Sequence, residues 1–250
     1  MGPWIRWGIV LGFALGGFFD GILLHQILQW HHLLSLVPDV DSLRGQLLWD
    51  GAFHALMYAI AAAGLWGLWR NRARSVEQPG RVLGAALMIG FGAWHAVDAL
   101  LSHWIIGIHR IRLDSAMPLA WDLGWLAVFG IVPLILGWAL LRRPGPPRRR
   151  GGAAPVIAVA ALVTIGLGGW ALRAPAGQDF TTIVFAPGMT AGEAMRVLAT
   201  AEARLVWSDK RLSVAVVEMA PTRRMRLYRE GAWLVSGGAS PAGCSARMTP

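Results

Sequence analysis

Apolar residues in this chain fall in long unbroken runs, not in the alternating or three-to-four patterns of a water-soluble core. Five runs stand out, at roughly 7–29, 47–69, 82–108, 119–141 and 153–172. Each approaches the length of about 20 residues that a helix needs to cross a bilayer, so the pattern predicts five membrane spans. The first run is not a convincing secretory signal. It carries Asp20, lacks a clear small-residue cleavage site and is followed by four more spans. Beyond residue 172 the pattern changes. FTTIVFA at 180–186 reads as a strand, and Thr190-Ala-Gly-Glu193 matches a capping box that opens a helix through about Ala203. Residues 204–208, 212–219 and 226–236 read as further strands, with turns at Asp209-Lys210 and Gly231.

The fold class expected is an all-α integral membrane helical bundle of four spans plus a fifth, with a small C-terminal α+β extracytoplasmic domain on an antiparallel sheet. The segment RRPGPPRRRGG at 142–152 has the composition of a linker. It separates a four-helix unit, 1–141, from the fifth span, 153–172, and the small domain, 173–250. The apolar share of 55% against 15% charged residues exceeds that of ordinary globular domains, and the excess lies in the spans.

The net charge of +9 raises the question of nucleic acid, but its placement points to a membrane. Arg70, Arg72, Arg74 and Arg81 lie between the second and third spans, and Arg142, Arg143, Arg148, Arg149 and Arg150 between the fourth and fifth. The loops after the first and third spans are less basic, with Asp39, Asp41 and Arg44 in one and Arg110, Arg112 and Asp114 in the other. Basic loops stay cytoplasmic. The N-terminus with Arg6 is therefore expected inside a bacterial inner membrane, with loops one and three and the C-terminal domain outside. The arginines read as topology signals and anionic-lipid contacts, and the lipid bilayer is the expected partner, not nucleic acid. Trp30, Trp49, Trp104 and Trp121 at one boundary and Trp4, Trp7, Trp66 and Trp69 at the other read as an aromatic belt. A single cysteine, Cys244, excludes an intrachain disulfide and a cysteine-based zinc site.

The candidate chemistry lies inside the spans. All seven histidines, His25, His31, His32, His54, His95, His103 and His109, precede residue 110, and Asp20, Asp50, Asp98 and Asp122 sit among them. Ionisable groups in hydrocarbon are expensive, and a cluster of them is a functional-site hypothesis by default. The direction of each span brings these residues to the outer half of the bundle. At α-helical spacing, Asp50 and His54 share a face of the second span, and His95, Asp98 and His109 form a stripe on the third, with His103 about a quarter-turn away. On the first span His25 and His32 share a face, while Asp20 and His31 fall on the other side. The ligands expected on this reading are His25, His54, His95 and His103, with Asp50 and Asp98 as ligands or as carboxylates that orient the histidines. His31, His32 and His109 are placed at the interface.

Imidazole suits copper, iron and zinc, and carboxylates pull toward iron and zinc. Histidines from two helices can also hold a haem. The leading expectation is a metal, or a haem, bound near the extracytoplasmic face, in metal handling or redox support of a respiratory complex. A membrane metalloenzyme, hydrolase or oxidase, is the alternative, and a structural subunit with no ligand is the third reading.

The motifs GGFFDGILLHQILQWHH (16–32), DGAFH (50–54), WHAVDALLSHW (94–104) and WDLGW (121–125) resemble the signature of a bacterial domain-of-unknown-function family of predicted four-span membrane proteins. The likeness covers about residues 5–142. It implies an integral membrane protein, with neighbours from cytochrome oxidase and copper-handling pathways. The WHxxD and SH elements are also similar to the zinc-dependent membrane amidohydrolases of the alkaline ceramidase type, which have seven spans.

Overall fold

The computed structural model describes residues 1–28, 30–40, 42–74, 76–143 and 180–237, with isolated positions between 155 and 166. The expected fifth span and most of the linker lie outside the described residues, as does Cys244. The chain divides into two compact units.

The first unit holds four long apolar helices, Pro3–Gln26, Arg44–Arg70, Pro79–Ile105 and Pro118–Arg142, each long and apolar enough to cross a membrane. At 1.5 Å per residue they reach roughly 36–40 Å, more than the ~30 Å hydrocarbon core. They are not uniform α-helices. The first is α1 (Pro3–Asp20) followed by a π-helical segment, π1 (Gly21–Ile27). The second is α2 (Leu43–Arg70). The third is α3 (Pro79–Val97) followed by π2 (Asp98–Ile105). The fourth is α4 (Pro118–Trp125), π3 (Leu126–Ile131) and α5 (Val132–Arg142). Proline occupies the first turn of α1, α3 and α4, where a missing N–H costs nothing; Pro133 instead lies within the continuous fourth helix, directly after π3.

Small residues set how closely α1 and α3 approach. A Cβ added at Gly12 would fall on the Leu87 carbonyl oxygen, and one added at Gly90 on the Ile9 carbonyl oxygen. Gly8 and Gly16 would meet Ala86 Cβ and Trp94 Cβ at 2.7 and 2.8 Å. Without a hydrophobic drive between helices in lipid, such close backbone contact is what holds them together. At one end of the helices, Arg70, Arg72 and Arg142 lie over the rings of Trp66, Trp69 and Trp138 at 4.9, 4.2 and 3.7 Å. At the other, Arg112 sits 5.2 and 5.1 Å from the rings of Trp30 and Trp121. These pairings fit the expected aromatic belts.

The second unit contains β1 (Phe180–Phe185), α6 (Ala191–Thr200), β2 (Arg204–Ser208), β3 (Val214–Glu218), α7 (Arg224–Arg229) and β4 (Ala232–Gly237). The sheet is antiparallel in the order β2-β3-β1-β4. This β-α-β-β-α-β order is the ferredoxin-like split arrangement. Ile183, Phe185, Leu198, Ala215, Val217 and Leu227 are buried together in its core. The capping box forms: Thr190 Oγ1 accepts from the Glu193 N–H, and the Glu193 carboxylate accepts from the Thr190 N–H. The expected strand over 226–236 is corrected. Its first part is helix α7, because Leu227 turns inward to the core and the Tyr228 hydroxyl holds the middle of β4, bonding both N–H and C=O of Val235. Gly231 makes the turn between them at φ +101°, a conformation open to glycine.

Candidate metal centre

The site is made where the first and third helices leave the α register. The Leu28 N–H bonds the Leu23 carbonyl and the Ile106 N–H bonds the Leu101 carbonyl, both at 2.8 Å. These are five-residue closures, the signature of a π-helix, and such turns concentrate at functional sites. They bring residues five apart onto one face. Asp20 and His25 are five apart, and so are Asp98 and His103. The α-helical reading, which put Asp20 on the far side from His25 and His103 a quarter-turn off its stripe, is corrected for this reason.

Beyond each π segment the chain turns back over the helix ends. His31 Nδ1 lies 2.9 Å from the Ile111 carbonyl, and His109 Nδ1 lies 2.8 Å from the Leu33 carbonyl. A carbonyl can only accept, so in both rings Nδ1 carries the proton and donates. The lone pair of the neutral ring is then on Nε2. Asp50 places Oδ1 3.0 Å from His25 Nδ1 and Oδ2 2.6 Å from His32 Nδ1, and accepts the Leu33 N–H at 2.9 Å. Asp122 places Oδ1 3.0 Å from His103 Nδ1, and accepts the Ile111 N–H at 3.0 Å and Arg110 at 2.8 Å. Histidines whose Nδ1 is held by a carboxylate or carbonyl are oriented as metal ligands are.

On the inner side the polar atoms are bare. Asp20 Oδ1 and the Nε2 atoms of His25 and His31 are buried with no hydrogen-bond partner among the described residues, and these residues are 2% exposed or less. Asp98 sets Oδ2 3.1 Å from His103 Nε2 and Oδ1 3.4 Å from His109 Nε2. Two three-residue groups result, Asp20–His25–His31 and Asp98–His103–His109, each with one donor atom per residue, all within 4.8 Å of one another. The His31 and His109 rings stack between them, 4.6 Å apart and 6° from parallel. Burial, with His109 and His25 beside it, holds the His31 pKa well below the usual histidine range, so the ring is neutral. For His109 burial also opposes charge, but Asp98 outweighs it and raises the pKa.

Of the residues expected from the sequence, His25, His103 and Asp98 belong to these groups, and Asp50 orients His25. His54 and His95 stand outside both. His54 Nδ1 bonds the Asp50 carbonyl at 2.7 Å, and its ring lies beside Phe18 and Phe53. His95 is enclosed by Phe19, Phe91, Trp125 and Phe129, and Trp125 Nε1 donates to its Nδ1 at 3.1 Å. The structure adds Asp20, His31, His109 and Asp122. A signal for the first three was present in the sequence: Asp-x4-His-x5-His occurs at 20/25/31 and again at 98/103/109.

No curated protein and no solved structure matches the chain. The family model described as predicted membrane protein (DUF2243) does match, over residues 7–144, a stretch that takes in both three-residue groups and the carboxylates behind them. The chain belongs to that family of predicted membrane proteins.

Proposed function

We propose that the four-helix unit binds a transition metal through the two groups, near the extracytoplasmic end of the bundle. One observation carries this reading. In the Asp20–His25–His31 group, buried imidazoles with Nδ1 held by an acceptor present bare Nε2 atoms beside a buried carboxylate whose Oδ1 is also unpaired. Leaving such atoms unpaired in a low-dielectric interior costs free energy that a bound cation would recover.

Each group offers two histidines and one aspartate. That set suits iron(II) or zinc, and copper less. A haem needs axial imidazoles on opposite faces of a macrocycle, whereas here each pair of histidines converges with a carboxylate. Three protein donors leave coordination positions for water, which favours a membrane metalloenzyme as the second reading. Metal handling or support of a respiratory complex remains the first. The basic loops at the opposite end supply the sidedness.

The test is purification in mild detergent, followed by elemental analysis and an absorption spectrum. Iron, zinc or copper that co-purifies, and whose content falls in His31→Ala, supports the reading. A Soret band, or metal-free protein that takes up no added iron(II), zinc(II) or copper(II), overturns it.

A further inference from the structure

The two groups are copies of one another. Adding 78 to a residue number carries Asp20 to Asp98, His25 to His103, His31 to His109, His32 to Arg110 and Leu33 to Ile111. The geometry follows the numbers. His31 bonds the carbonyl of Ile111, and His109 bonds the carbonyl of Leu33, the equivalent atom. The five-residue closure at Leu23–Leu28 recurs at Leu101–Ile106. A six-residue closure from Trp30 to Leu24 recurs from Ile108 to Ser102, both at 2.9 Å. Asp50 in α2 and Asp122 in α4, related by an offset of 72, each sit 3.0 Å from Nδ1 of the corresponding histidine. They also take the N–H of Leu33 and Ile111, respectively. The helix crossing obeys the same relation, since Gly12 meets Leu87 and Gly90 meets Ile9. Residues 3–70 and 79–142 are therefore two halves related by a pseudo-two-fold axis that passes between the stacked rings of His31 and His109. Both halves run in the same direction through the bundle, so the axis lies along the helices.

A two-fold relation decides how many ions fit. A single ion on the axis would draw on equivalent ligands from both halves. Each compact donor group instead lies wholly within one half. The donor sets are also equal in kind, so whatever makes one half a ligand makes the other one too.

We infer that the bundle carries two equivalent metal sites, one per half: Asp20, His25 and His31 hold one divalent ion, and Asp98, His103 and His109 hold a second. The two form a dinuclear centre across the axis. This rests on the metal-binding reading above. His54 and His95 fall outside the repeat, since the residue 78 positions before His95 is Gly17.

The experiment counts ions. The full-length chain in detergent is stripped with chelator, reloaded with zinc(II) alone, desalted and analysed for zinc and protein. Two zinc per chain are expected. His25→Ala and His31→Ala should each bind one, as should His103→Ala and His109→Ala, and His31→Ala/His109→Ala should bind none. Helical circular dichroism shows which variants remain folded. One zinc per wild-type chain overturns the two-site inference and leaves metal binding standing. No zinc, iron(II) or copper(II) bound overturns both. Two zinc in the wild type, with both lost from every folded single-half variant, overturns the assignment of one ion to each half. Should the variants not fold, manganese(II) loaded into the wild type decides by electron paramagnetic resonance. A spin-coupled signal that replaces the isolated-ion signal as loading passes one equivalent is expected. An isolated-ion signal at saturation overturns the inference.

Discussion

Asp50 and Asp122 stand in equivalent places, each with a carboxylate oxygen 3.0 Å from the Nδ1 of a buried histidine, His25 and His103. Neither belongs to a three-residue group. Their work is to fix which nitrogen carries the proton and which way the ring faces. Asn in their place keeps the shape and one acceptor but removes the charge. Asp50→Asn and Asp122→Asn should each weaken metal affinity by about 10–100-fold without abolishing it. Competition against a chelator of known affinity measures this, and complete loss of metal in either folded variant would mean that the carboxylate ligates directly.

His95→Ala and His54→Ala should leave the bound metal unchanged, whereas His31→Ala should not. Both rings stand apart from the donor groups, one against aromatic side chains and one against the Asp50 carbonyl. Elemental analysis of the three variants side by side checks it. Metal lost from His95→Ala or His54→Ala would return that residue to the ligand set read from α-helical spacing.

Gly12→Ala should destabilise the bundle, because its methyl would overlap the Leu87 carbonyl at the α1–α3 crossing. Overpacking of this kind costs about 1–3 kcal/mol. Gly84→Ala, with nothing within 4 Å of the added methyl, should be neutral or slightly stabilising. Thermal unfolding in detergent compares the two, and equal behaviour would remove close backbone contact as the reason for the glycine.

In the small domain, Thr190→Ala should destabilise α6 by roughly 1 kcal/mol, as the loss of an N-cap does. The Thr190 N–H and hydroxyl hold the Glu193 pKa below its ordinary value. A depressed carboxylate pKa gives a contribution that is present above the unfolded value and fades as pH falls through the folded one. The α6 amides should therefore exchange faster with solvent in acid, relative to their intrinsic rates. Hydrogen exchange at the Glu193 amide reads both effects, and protection that does not change on substitution would argue against the cap.

The expected sidedness is open to direct measurement. With Cys244 replaced by Ser, a cysteine at the exposed Ala116 should react with an impermeant thiol reagent in intact cells. One at the exposed Ala73 should react only after permeabilisation. The opposite pattern would place the metal centre at the cytoplasmic end.

Much of this architecture was legible in the sequence because hydrocarbon imposes a simple rule. The runs at 7–29 and 82–108 had to be helices, and the observed bounds, Pro3–Gln26 and Pro79–Ile105, differ by three residues at the C-terminal ends. That the aspartates and histidines gather at one end of the helices was legible from their order along the spans. Their facing was not, because a periodicity of 3.6 assumes an unbroken α-helix, and π1 and π2 add a residue to the turn at the point where Asp20 and Asp98 sit. His31 and His109 were set aside as interfacial because polar residues are cheap where a span meets water. What draws them inward is a carbonyl on the other loop, a partner visible only in three dimensions. Arg224–Arg229 was misread as strand because a two-turn segment with one buried leucine gives too little pattern to separate the two.

The cross-laced loops also fix when the centre can come into being. His31 depends on Ile111 and His109 on Leu33, and these partners are made 80 and 76 residues apart along the growing chain. While the first pair of helices emerges from the ribosome, His25 and His32 can already meet Asp50, but His31 has no anchor and the donor set is open. The arrival of the third helix and its loop closes both sets together. On the metal-binding proposal, loading follows insertion of the whole bundle, and a chain halted after the second helix would carry half the residues of the centre and no finished half of it.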